Sequence, residues 1–146
     1  MDGRKEVVVV WGPLAELGGD SLWQAEEFLK AIASMAQQIP GVQVPPLENL
    51  YDESRGVKLG SPFNNQMEEA SLMVVAPSYV SVETGVVVGA AEQRGKKVLM
   101  IFLREEDVSL LMLKNPAVDG RHIVLREDGE DLFRVFSAIQ NALNEK

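Results

Sequence analysis

The stretch Ser71–Phe102, SLMVVAPSYVSVETGVVVGAAEQRGKKVLMIF, decides the architecture of this chain. It divides into an apolar run Leu72–Ala76, a polar loop Pro77–Glu83, a helix of small residues Thr84–Arg94, a stop at Gly95 and a second apolar run Val98–Phe102. Neither run alternates apolar with polar. Strands that are apolar on both faces belong in a parallel sheet covered by helices on either side. Open sheets of this kind bind ligands beyond the carboxyl ends of their strands, so the loop Pro77–Glu83 is the first place to look for function.

Upstream, Glu6–Trp11 is a strand whose Val7–Val10 core is β-branched throughout, which predicts a central position in the sheet. Gly12-Pro13 breaks it, and Gly18-Gly19 follow in the connection. Asp20 or Ser21 is the expected N-cap of a helix Leu22–Gln38, with Gln24 completing a capping box after Ser21. Leu22, Trp23, Ala25, Phe28, Leu29, Ile32 and Met35 supply its helical spacing. Pro40-Gly41 ends the helix, and Val42–Val44 is a short edge strand closed by Pro45-Pro46. Glu48–Gly60 carries Tyr51, Asp52, Glu53, Arg55 and Lys58 without periodicity and is long enough to form a lid over the strand ends. Ser61-Pro62 opens a short helix Pro62–Ala70.

Downstream of Phe102, a short helix is expected over Glu105–Leu113, ended by Asn115-Pro116. Asp119-Gly120 is a turn, Arg121–Arg126 a last strand, and Asp131–Leu143 a closing amphipathic helix on Leu132, Phe133, Val135, Phe136, Ile139 and Leu143. Met67, Met73, Phe133 and Phe136 are core by spacing. The order β-α-β-α-β-α-β-α-β-α with right-handed crossovers predicts one α/β domain. Its fold is a flavodoxin-like, doubly wound five-stranded parallel sheet in the order 2-1-3-4-5.

Bulk properties narrow the function. A length of 146 residues suits a single core. The net charge of −8 argues against a nucleic-acid polymer or an anionic membrane as partner. With no cysteine and one histidine, thiol catalysis, disulfides and a His-rich metal site fall away, and no metal or cofactor is expected. No signal peptide or 18-residue apolar run is evident, so the expected location is the cytoplasm.

Four chemistries of this architecture fail on their motifs. Gly12–Asp20 lacks the Gly-Lys-Ser/Thr ending of a phosphate-binding loop, and no GxGxxG follows the first strand. A phospho-acceptor domain needs acids where this chain has Trp11-Gly12 and Ala76-Pro77. His122 alone builds no Ser-His-acid grouping.

The constellation that remains is Gly12-Pro13-Leu14 after the first strand, Ala25-Glu26 in the first helix, and Thr84-Gly85, Gly89-Ala90-Ala91 and Gly95-Lys96-Lys97-Val98 around the central helix. It resembles the nucleoside 2-deoxyribosyltransferase family. Within that family it is most similar to the 2′-deoxynucleoside 5′-monophosphate N-hydrolases, through Val108-Ser109-Leu110-Leu111-Met112 and Asp119-Gly120-Arg121. The resemblance implies a homodimer that cleaves the N-glycosidic bond of a deoxynucleoside or its monophosphate. One carboxylate takes or stabilises the sugar and a second orients it. It also implies a phosphate held by serines and amides at helix starts, with Ser81 at the loop serine position, Gly85 at the helix start and Ser109 offered across the dimer interface.

The acids of the family pattern are replaced. Val87 stands at the catalytic glutamate, Ser71 at the aspartate that opens the central strand, and Asn64-Asn65-Gln66 where Asn-Asn-Asp is frequent. Glu83 is the one carboxylate of the key loop and the candidate replacement; its alternative role is to complement the helix dipole. Asp52 and Glu53 are further candidates in the lid. Ser78, Ser81 and Thr84, with Gly12, Pro13 and Gly85, form the candidate substrate site, or the hydroxyls satisfy turn and cap hydrogen bonds. Trp11 and Tyr51 could stack on a base or pack, and Asp20, Glu26, Glu68 and Glu69 read as capping or surface acids. Three functions follow: a glycosidase or deoxyribosyltransferase with a relocated carboxylate, a nucleotide sensor or partner subunit without catalysis, and a flavodoxin-like interaction domain.

Overall fold

In a computed structural model, residues 6–14, 17–45, 61–79, 81–102, 113–119, 123–124 and 132–144 are described. The elements run β1 (Glu6–Trp11), α1 (Gly19–Gln37), β2 (Val42–Gln43), α2 (Ser61–Glu69), β3 (Leu72–Val75), α3 (Val82–Gln93), β4 (Val98–Phe102), β5 (Ile123–Val124) and α4 (Leu132–Asn144). The five strands form one sheet in the order β2-β1-β3-β4-β5. Every pairing is parallel, with Val8 opposite Leu72, Met73 opposite Val98 and Ile101 opposite Ile123. This is the flavodoxin-like α/β arrangement that the two-faced apolar runs predict.

The pleat sorts the strand residues into two cores. Val8, Val10, Leu72, Val74, Leu99 and Ile101 face α1 and α4, where Phe28, Leu29, Ile32, Val135 and Ile139 meet them. Val9, Trp11, Met73, Val75, Val98 and Met100 face α2 and α3, against Met67, Val87, Val88 and Ala91. The three central strands are sealed on both sides, which explains why their sequences read as unbroken apolar runs. Trp11 is among the largest fully buried side chains, so it packs and is not available to stack on a base. Met67 and Met73 are core, as their spacing predicts.

The helix ends differ in detail from the pattern-based limits. The N-cap of α1 is Gly18, without a side-chain cap bond, and not Asp20 or Ser21. Gly19 adopts a positive φ of 54° and carries the chain into the helix earlier than the apolar periodicity begins. Asp20 lies in the first turn, where its charge complements the dipole. Gly95 ends α3 as the sequence predicts, at φ 68°. The Lys96 amide donates to Ala91 O at 2.9 Å and the Gly95 amide to Glu92 O at 3.0 Å, the paired bonds of a Schellman motif.

Two aromatic residues read as core point outward. Trp23 is 63% exposed and Phe133 73% exposed. Each precedes a buried residue, Ala25 or Val135, by two positions, about 200° around the helix, so it faces away from the sheet. Phe136 stays partly buried against the α1/α4 core. The expected segments Glu48–Gly60, Glu105–Met112 and the flanks of Arg121–Arg126 lie outside the described residues, as does His122.

Two lysines that sequence reasoning left unassigned tie the helices to the amino end of the sheet. Lys96 Nζ donates to Glu68 O at 2.8 Å, in the last turn of α2, and Lys97 Nζ to Ala142 O at 3.1 Å, in the last turn of α4. Adjacent residues point to opposite faces as the chain enters β4, so one lysine serves each layer. Basic residues near a helix carboxyl end satisfy its last carbonyls. Arg94 joins the same corner, donating from Nε to Glu68 Oε1 at 3.0 Å.

Candidate functional site

The crossovers from β1 and from β3 leave toward opposite ends of the sheet, with α1 on one face and α3 on the other. The carboxyl ends of these two strands therefore border a topological switch point, where open α/β sheets hold their ligands. The β1–α1 connection supplies Gly12, Pro13 and Leu14, and the β3–α3 loop supplies Ala76–Tyr79 and Ser81. Ser109, Tyr51, Asp52 and Glu53 lie outside the described residues; Gly12, Pro13, Ser78, Ser81, Glu83, Thr84 and Gly85 belong to these two connections or to the first turn of α3.

The floor is tightly built. The Ala76 amide donates to Trp11 O at 2.8 Å, extending the β1–β3 ladder past its last paired residues. A Cβ at Gly12 would stand 2.6 Å from Ala76 O and 2.9 Å from Leu29 Cδ2. Gly12 is thus required by the approach of the two strand ends. Pro13, Leu14 and Pro77 are buried beside it, so Pro13 also serves the floor.

The wall is the start of α3. Ser81 is its N-cap, in extended conformation, and its Oγ accepts the Thr84 amide at 3.2 Å. The two hydroxyls also bond to each other, Ser81 Oγ to Thr84 Oγ1 at 3.1 Å, and Thr84 is only 2% exposed. Both hydroxyls thus take part in the cap, the second of the two roles the sequence leaves open, and one of their two O–H donors remains available. Ser78 is half-buried in the loop. Gly85 is exposed in the first turn, and a Cβ there would meet nothing within 4 Å.

Glu83 lies between these groups, half-buried, in the first turn of α3. Its Oε2 is sealed from solvent and has no hydrogen-bond partner. Gln66 Oε1 on α2 is the other unpartnered buried side-chain atom among the described residues.

The positions of the replaced acids have structural occupants. Val87 is 1% exposed and packs in the α2/α3 core, one turn below Glu83. Ser71 lies at the amino end of β3, remote from the switch point, where its Oγ accepts the Val7 amide at 3.1 Å. Glu68 pairs with Arg94 on the surface, and Glu69 is exposed. No three His, Asp or Glu side chains gather as a metal site among the described residues, and none of their helices is long and apolar enough to cross a membrane. Grooves lined by Gly41–Val44, by Ile39 with Leu143, and by Gly95–Lys97 with Pro116 lie along the β2 edge or at the amino end of the sheet.

No protein-family model matches the chain, and no curated protein matches it.

Proposed function

We propose that this chain is a nucleoside- or nucleotide-binding domain of the deoxyribosyltransferase type that holds its ligand at the β1/β3 switch point without cleaving it. The observation that carries the absence of cleavage is Val87: the position of the family's catalytic glutamate is apolar and sealed in the core. Support for a ligand comes from the opposed crossovers and from two features of α3 that folding alone does not require. One is the unpartnered buried oxygen of Glu83. The other is Gly85, which costs a helix about 1 kcal/mol relative to alanine where nothing crowds a methyl group. Glycine there leaves room for a ligand to approach the backbone.

A glycosidase or deoxyribosyltransferase with Glu83 as relocated carboxylate is the second reading, favoured by that same unpartnered oxygen. It needs a second acid at about 5–9.5 Å to complete the pair. The homodimer is part of the proposal. Val82 and Val86, exposed on α3, offer an apolar face for it.

Calorimetric titration with a panel of 2′-deoxynucleoside 5′-monophosphates, followed by chromatography of the same samples for free base, tests both readings. Binding without base release is the expected result. Base release establishes the enzyme, and no binding at millimolar ligand leaves the interaction-domain reading.

A further inference from the structure

We draw no further inference here: the strongest candidate, the exposed face of α3 formed by Val82, Gly85 and Val86, is the one already offered for the homodimer, and nothing in the structure shows what covers it.

Discussion

Substituting Gly12 by alanine tests the floor of the site most directly. The added Cβ would lie 2.6 Å from the Ala76 carbonyl oxygen and 2.9 Å from Leu29 Cδ2. The leucine tip can rotate away, but the Ala76 carbonyl is backbone, on a residue whose own amide is bonded to Trp11 O at 2.8 Å, so the ends of β1 and β3 must separate. Forcing extra volume into a packed position costs about 1–3 kcal/mol. The lower entropy of the unfolded alanine chain returns about 0.4–1 kcal/mol. The net expectation is a loss of about 1–2 kcal/mol, read as a lower urea midpoint at unchanged slope. Gly85→Ala is the matched control: open space around the new methyl and a helical backbone predict a gain of about 1 kcal/mol. If Gly12→Ala is as stable as the wild-type protein, the close approach of the strand ends does not shape this site. If Gly85→Ala gains stability while losing ligand affinity, the space above that glycine belongs to the ligand.

Other substitutions separate structural from functional roles. Ser81→Ala removes the side-chain cap of α3 and should cost about 1 kcal/mol in chemical unfolding, whereas Ser81→Asp, itself a favoured N-cap, should retain most of that stability. Val87→Glu places a carboxyl in a sealed position and should destabilise by about 3 kcal/mol or more. Burial raises the folded-state pKa of such a glutamate, so its cost should be smallest at acid pH and grow as the pH rises above about 4.3, the unfolded value. A deficit independent of pH would show that the new carboxyl reaches water.

Much of the fold was legible because its strongest signals are local. Glu6–Trp11 and Val98–Phe102 have the limits their sequences predict, since each is built on a continuous apolar run. Gly95 was equally legible, as a glycine after small helical residues. Helix phase was harder. Nothing in the spacing around Trp23 or Phe133 says which side of the stripe the neighbouring helix covers, and both residues proved to face outward. The site was legible as a location but less so as chemistry. Ser81 and Thr84 read equally well as ligand hydroxyls or as a cap, and it takes their 3.1 Å separation to show that they form the cap. The tight fit around Gly12 and the unpartnered oxygen of Glu83 depend on groups far away in sequence or on their absence.

The packing of α1 against α4 governs the order in which this chain can mature. The apolar face of α1, with Phe28, Leu29 and Ile32, is completed by Val135 and Ile139 from the last described helix. The central β1–β3 pair joins residues about 64 positions apart, as in the bond between Val7 and Ser71. During synthesis, β1 and α1 therefore emerge long before the segments that shield them. Such long-range closures slow folding and prolong the exposure of sticky surface. Withholding α4 leaves Phe28 and Ile32 uncovered, so a nascent chain halted before Leu132 is the natural client for a chaperone.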